Sequence, residues 1–281
     1  MKKLILRILA ALAAVVVIPL LMLAACQSKI IYYPRAYPGH PPMLPESFLK
    51  DGGRKIEVRT KAGLQVGWLR PPAKGKPEHF WIVCGGNGTL ALELVRHFPD
   101  SSESNDAWLF FDYPGYGLCE GKPSPETIRE SLRAVVPAAL AECGMKPDDL
   151  PERGIVLGHS LGSAVALMAA DAFDIRRAIL ASPFTSTPDM ARVMTGLPVG
   201  FLITHRYDNR ATLNRLVERG GRAWIIHGAA DQIIPVSMGR ELARVRPEAV
   251  RYFEIPHAGH NDIFQRAIPE FDTAVSEARK P

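Results

Sequence analysis

Three short segments of this chain bring together residue types that can do chemistry. In Gly158-His159-Ser160-Leu161-Gly162 a serine lies between two glycines, each two positions away. The segment follows the apolar run Ile155-Val156-Leu157 and precedes a helical pattern over Leu161–Ala172. A strand that turns abruptly into a helix needs small residues at the bend, and the turn exposes the hydroxyl between them. N–H groups at the start of that helix face any negative charge that develops beside the hydroxyl. The pattern is that of a nucleophilic serine, Ser160, with the Leu161 N–H as one oxyanion donor.

A serine hydroxyl needs a base, and the base needs an acid to hold its tautomer. For a serine on a strand-to-helix turn the partners follow in the order serine, acid, histidine. Trp224-Ile225-Ile226-His227-Gly228 reads as a strand and its exit, and Asp231 comes next. Asp231 is therefore the expected acid, with Asp189, Asp208 and Asp262 as weaker alternatives. Val250–Ile255 reads as the last strand, and its exit loop carries both His257 and His260. His260, after a glycine and directly before the last helix, is the expected base. His257 is the alternative and is expected to pack beneath the loop. The second oxyanion donor should come from the loop after the apolar run Phe80–Cys84. Gly86 is the expected donor and Asn87 the alternative. That glycine-rich loop lacks the spacings of a phosphate cradle. Cys84, Cys119 and Cys143 show no metal-ligand spacing and read as small buried residues. Neither a metal nor a cofactor is expected.

These residues must be held by strands and helices in alternation. Lys55–Thr60 and Leu64–Leu69 alternate around Ala62-Gly63, as an antiparallel hairpin does. Phe80–Cys84, Ala107–Asp112, Gly154–Leu157, Arg177–Ala181, Ala223–His227 and Val250–Ile255 read as further strands. Leu90–Phe98, Pro125–Cys143, Leu161–Ala172, Val236–Val245 and Ile263–Ala278 read as helices. The alternation predicts a mostly parallel, doubly wound α/β sheet of about eight strands. Residues 185–221 are long enough for a short lid, with helices around Asp189–Met194 and Asn209–Val217. With 281 residues, one domain and a short N-terminal extension are the default. The expected boundaries are a leader over 1–25, a tether and lead-in over 26–50, and the catalytic domain over 51–281.

Four segments in order resemble one family. Phe111-Asp112-Tyr113-Pro114-Gly115-Tyr116-Gly117 with Glu120-Gly121 resembles the D-Y-x-G-Y-G…E-G segment of the bud-emergence-type α/β-hydrolases. That branch includes the abhydrolase-domain protein depalmitoylases. Gly259-His260-Asn261-Asp262 is similar to the family's G-H-N-D, and His227-Gly228…Asp231…Pro235 to its acid segment. Tyr32-Tyr33-Pro34 and the short lid also fit. The resemblance spans about residues 30 to 275 and implies an α/β-hydrolase fold with a Ser-Asp-His triad. In one place the chain departs: Cys84-Gly85-Gly86-Asn87 stands where the family has His-Gly-Asn followed by Ala or Gly. Cys119 stands where relatives carry Ser.

The N-terminus has its own logic. Lys2, Lys3 and Arg7 precede the apolar run Ile8–Ala25, and Leu23-Ala24-Ala25-Cys26 resembles the bacterial lipobox. The resemblance implies cleavage before Cys26, which would be acylated as the first residue of an envelope lipoprotein. Gln27, where an Asp would mark inner-membrane retention, points to the outer membrane and its periplasmic face. An uncleaved anchor helix and an ordinary cleaved signal are the alternatives.

The formal net charge is +5, and the three N-terminal cations supply part of it, so residues 26–281 carry +2. That balance, with no basic run, argues against nucleic acid as a partner. The expected activity is hydrolysis of a carboxylic ester or thioester, palmitate-type acyl groups among them, through an acyl-enzyme. A serine peptidase acting on small peptides and a non-catalytic envelope interaction protein are the competing readings. The acyl length and the oligomeric state are not specified by the sequence.

Overall fold

Strands buried on both faces need apolar residues at every position, and the middle of this chain supplies them. A computed structural model of the chain describes Arg7, Val15, Ile18 and residues 26–39, 41–98 and 104–280. The leader expected over 1–25 lies outside the described residues apart from those three. Among the described residues no helix is long and apolar enough to cross a membrane.

The eight strands are β1 (Arg54–Thr60), β2 (Gly63–Arg70), β3 (Phe80–Cys84), β4 (Ala107–Phe111), β5 (Gly154–His159), β6 (Arg177–Ala181), β7 (Arg222–Gly228) and β8 (Val250–Ile255). They form one sheet in the order β1-β2-β4-β3-β5-β6-β7-β8. The β1–β2 hairpin turns where Ala62-Gly63 predicted it, and β2 continues antiparallel onto β4. All other neighbours pair in parallel. The fold class expected from the alternation is the one found.

The helices are α1 (Gln27–Ile31), α2 (Glu46–Lys50), α3 (Ala91–Leu94), α4 (Pro125–Glu142), α5 (Leu150–Arg153), α6 (Leu161–Phe173), α7 (Thr187–Thr195), α8 (Asn209–Glu218), α9 (Val236–Val245), α10 (Ile263–Arg266) and α11 (Ile268–Ala278). Strand alternation divides the core between the two faces of the sheet. On β3, Phe80, Ile82 and Cys84 join one cluster with Ile128 and Leu132 of α4 and Val165 of α6. Trp81 and Val83 join the other, with Leu92 of α3 and Phe271 of α11.

Two predicted helices are shorter or broken. Leu90–Phe98 narrows to α3 followed by a 3-10 turn over Val95–His97. The single helix expected over Ile263–Ala278 breaks at Ala267 into α10 and α11. Pro269 lies in the first turn of α11. A proline there brings no N–H, and it disfavours helical backbone just before it.

The lead-in segment departs from a free tether. Gln27 is buried, and its amide donates to the Leu202 carbonyl at 2.9 Å and accepts from the Thr204 N–H at 2.6 Å. The Tyr32 and Tyr207 hydroxyls are 2.9 Å apart. The Tyr37 hydroxyl donates to Asp112 at 2.7 Å. Aromatic and amide side chains spaced along the segment thus bind it to the lid and the sheet.

Asp112, at the end of β4, also accepts from the Trp68 indole at 3.0 Å and the Ala91 N–H at 2.8 Å. Burial pushes its carboxyl up to about 6, against the opposing pull of these hydrogen bonds. The folded chain therefore holds this proton more tightly than the unfolded chain does. The stability it contributes is present below the unfolded carboxyl range and is lost as pH rises through about 6. Urea unfolding between about pH 4 and pH 7 should show a decline in the parent that is flatter in Asp112→Asn. Parallel pH profiles for the two proteins would show that Asp112 titrates normally.

Candidate active site

The two segments expected to carry the nucleophile and the oxyanion loop leave neighbouring strands. β3 pairs with β4 on one side and β5 on the other, so the crossovers from β3 and β5 diverge. Such a switch point opens a crevice at the carboxyl ends of the strands. Ser160 follows β5 and the Gly85–Gly88 loop follows β3, so both lie at that crevice.

Ser160 takes φ +56° and ψ −121°, a strained conformation for a residue with a side chain. It is held there from both sides. Its N–H donates to the Ala181 carbonyl at 2.9 Å, and its own carbonyl accepts from Ser163 at 3.0 Å. The flanking glycines are required by close approach of backbone. A Cβ on Gly158 would lie 2.1 Å from the Gly162 carbonyl oxygen, and one on Gly162 would lie 2.1 Å from that of Cys84. Because the obstacle is backbone, no rotamer change relieves it. Gly162→Ala should therefore reduce stability by about 3 kcal/mol or more, beyond ordinary overpacking. Thermal unfolding measures this, and an unchanged midpoint would contradict the packing described.

The imidazole of His260 and the carboxylate of Asp231 are paired, Nδ1 to Oδ2, at 2.7 Å. Both are buried from solvent at the side chain. Asp231 sits in the loop after β7, and its Oδ1 accepts from the Ile233 and Ile234 N–H groups at 2.9 and 2.8 Å. Burial alone would raise its carboxyl. The hydrogen bonds from His227 and His260, the charge of His260 and the Ile234 N–H overcome this and hold it far below the usual carboxylate range. It is an anion wherever the protein is folded near neutral pH.

The alternatives lie elsewhere. Asp189 accepts from Thr185, Ser186 and Arg210. Asp208 caps α8 through the Ala211 N–H, and Asp262 accepts from Gly259 and pairs with Arg266. His257 is exposed, with φ +60°, where it was expected to pack beneath the loop. The chain reverses at Pro256-His257, and that tight turn directs the ring outward.

Ser160, His260, Gly86, Asn87 and Leu161 line one cleft of about 290 Å³. Leu161 is the first residue of α6, so its N–H has no acceptor within the helix. Gly86 packs directly on the turn at Ser160: a Cβ there would lie 3.3 Å from Ser160 Cβ and 3.1 Å from His159 Nδ1. Asn87 is exposed. The Tyr113 hydroxyl donates to the Gly85 carbonyl at 2.5 Å. With Asp112 holding the Ala91 N–H, adjacent residues of the Asp-Tyr motif clamp both ends of the loop that carries Gly86. The remaining walls are mostly apolar, with Ile30 and Ile31 of α1, Phe184, Met190 and Met194, and Ile233 and Ile234.

Two histidines of the site escaped sequence reasoning. The His159 Nε2–H donates to the His260 carbonyl at 3.0 Å, tying the backbone of His260 to the turn at Ser160. Burial, with the nearby His260, pushes the His159 imidazole down to about 3, so it stays neutral. The fully buried His227 has Nε2 3.0 Å from the Ile234 carbonyl and 3.3 Å from Asp231 Oδ2, which makes Nε2 the protonated nitrogen. Position x of G-x-S-x-G and the His-Gly pair ahead of Asp231 were the available signals.

Cys84, Cys119 and Cys143 are buried and unbridged. Burial pushes all three thiols up, which leaves them inert. Among the described residues no cluster suited to a metal ion occurs.

Residues 75–218 match the model of the alpha/beta hydrolase family. An uncharacterized protein of Mycobacterium tuberculosis (strain CDC 1551 / Oshkosh) is 30% identical over 84% of this chain and 81% of its own length. The alpha/beta hydrolase domain-containing protein 17C of Xenopus tropicalis is 30% identical over 54% of this chain and 46% of its own length. In structure, the chain is similar to the Pyrococcus furiosus esterase Pf2001, with a TM-score of 0.63 and 18% identity over 88% of this chain and 96% of that one. It is also similar to XC6422 from Xanthomonas campestris, a serine hydrolase without a lid, with a TM-score of 0.54 and 15% identity over 84% and 95% of the two chains.

Proposed function

The chain belongs to the alpha/beta hydrolase family, and from that premise we propose that it hydrolyses acyl esters or thioesters through an acyl-enzyme on Ser160. One observation carries this reading: His260, buried and paired with Asp231 at 2.7 Å, lines one cleft with a serine on a strained strand-to-helix turn. His260 uses Nδ1–H to hold Asp231, which leaves Nε2 as the acceptor for the Ser160 proton. Ser160 Oγ then attacks the carbonyl carbon. The carbonyl oxygen becomes an oxyanion, stabilised by the Gly86 and Leu161 N–H groups. As the tetrahedral centre collapses, protonated His260 gives its proton to the departing alcohol or thiol. Water, deprotonated by His260, attacks the acyl-enzyme, and the carboxylic acid leaves Ser160 free again.

The mostly apolar walls favour a hydrocarbon acyl chain, since each buried CH₂ contributes about 0.8 kcal/mol. The lipobox resemblance supports a position in the bacterial envelope, with attachment to a membrane through Cys26. Profiling against p-nitrophenyl esters of graded chain length, beside aminoacyl amides, tests the class. The expected result is a kcat/KM that rises with acyl length to an optimum, with amides turned over at least about 100-fold more slowly. Preference for the amides would discard the esterase reading.

A further inference from the structure

The outer face of the cleft is apolar and basic, and one of its helices follows directly in sequence on the apolar run Ile8–Ala25. Phe201 is 72% exposed, Met194 65%, Leu197 54% and Ile30 41%. Burial of large apolar side chains is favourable, so four left in water on neighbouring elements mark an interaction surface. They do lie on neighbouring elements. α7 packs on the turn over Val199–Leu202, and the Gln27 amide fastens α1 to Leu202, Thr204 and His205. Met194 and Ile30 both line the cleft.

Charge on the same segments has one sign. Residues 27–45 and 190–207 contain no Asp or Glu, whereas they carry Lys29, Arg35, Arg192 and Arg206. Arg35 pairs with Glu93 and Arg192 with Asp189 of the same helix, whereas Arg206 reaches the backbone carbonyls of Ile203 and Gly200, and Lys29 is exposed. Exposed aliphatic and aromatic side chains flanked by cations are what the surface of an anionic bilayer selects. A second argument fixes the occupant. The apolar run Ile8–Ala25 ends at Cys26, and the next residue is clamped to the lid. Whatever membrane that run or an acylated Cys26 enters must therefore lie against this face.

We propose that the face formed by Ile30, Met194, Leu197 and Phe201 docks on an anionic lipid bilayer, with the cleft mouth turned toward the lipid. The docking stands apart from the catalytic reading, and its test does not measure turnover. Full-length protein is reconstituted in vesicles of phosphatidylcholine and phosphatidylglycerol in equal parts. Phe201→Cys and Leu197→Cys each carry an environment-sensitive fluorophore. Lys146→Cys, exposed at the opposite end of the sheet where the chain approaches β5, is the reference. The expected result is a blue-shifted emission, quenched by nitroxide lipids, at both lid positions and at neither in the reference. Replacing phosphatidylglycerol with phosphatidylcholine should weaken the quenching. Lid labels quenched by aqueous iodide to the same degree as the reference would overturn the proposal. A blue shift without nitroxide quenching would assign the face to a second copy or another protein, and would overturn it equally.

Discussion

Replacing Ser160 with alanine should lower kcat/KM for a good ester by roughly 10⁴–10⁶-fold while the fold persists. The large effect follows from the division of labour in the cleft. Without Oγ there is no acyl-enzyme, and His260 is left with water as the only nucleophile it can activate. The oxyanion donors remain, since they are backbone N–H groups of Gly86 and Leu161, so a residual rate above solution is expected. Stability should change little, and in either direction. Alanine keeps the Cβ that Gly86 packs against, and the Ser160 N–H bond to Ala181 is a backbone bond. Fluorophosphonate labelling provides the independent check. The parent should incorporate one probe and Ser160→Ala none. Labelling of the mutant at the parent's intensity would place the nucleophile elsewhere.

Much of this architecture was legible because local chemistry and global fold agree. Runs such as Phe80–Cys84 and Ile155–Leu157 are apolar at every position, and only a parallel sheet covered on both faces buries them fully. The G-x-S-x-G spacing was legible for a steric reason. Gly158 and Gly162 face backbone at distances that no side chain can occupy. What was not legible depends on contacts between residues far apart in sequence. Gln27 meets the lid across more than 170 positions, and nothing in its neighbours announces that. The segment read as a tether and lead-in, and its side chains Ile30 and Ile31 line the cleft.

The same limit applies to the two silent histidines. His159 and His227 sit beside recognisable motifs, yet their roles arise from what each ring faces after folding. His159 donates to the backbone of His260, and His227 faces Asp231. Cys84, where relatives have His, raised a question that packing answers. Its side chain joins the core, and only its carbonyl approaches Gly162. The loop is hydrogen-bonded from Tyr113 to the Gly85 carbonyl.

His260→Ala should abolish turnover, by roughly 10⁴-fold or more, and should suppress fluorophosphonate labelling at neutral pH. His257→Ala should leave kcat/KM within about twofold. Sequence position alone did not separate the two, since both follow β8 in one loop. Hydrogen bonding does. His260 is buried and paired with Asp231 at 2.7 Å, and it lines the cleft with Ser160. His257 is exposed and has no part in that pairing. Its backbone, at φ +60°, is the feature with a stability consequence. Alanine tolerates that conformation no better than histidine, whereas glycine adopts it freely. His257→Gly is thus expected to be neutral or stabilising by up to about 1 kcal/mol, and His257→Ala neutral or slightly destabilising. A stability loss on removing a packed ring, as the sequence suggested, is not expected. The decisive measurement is kcat/KM for both alanine variants, each shown to be folded by circular dichroism. Near-normal turnover in His260→Ala, together with loss in His257→Ala, would reverse the assignment and require the loop to rearrange when substrate binds.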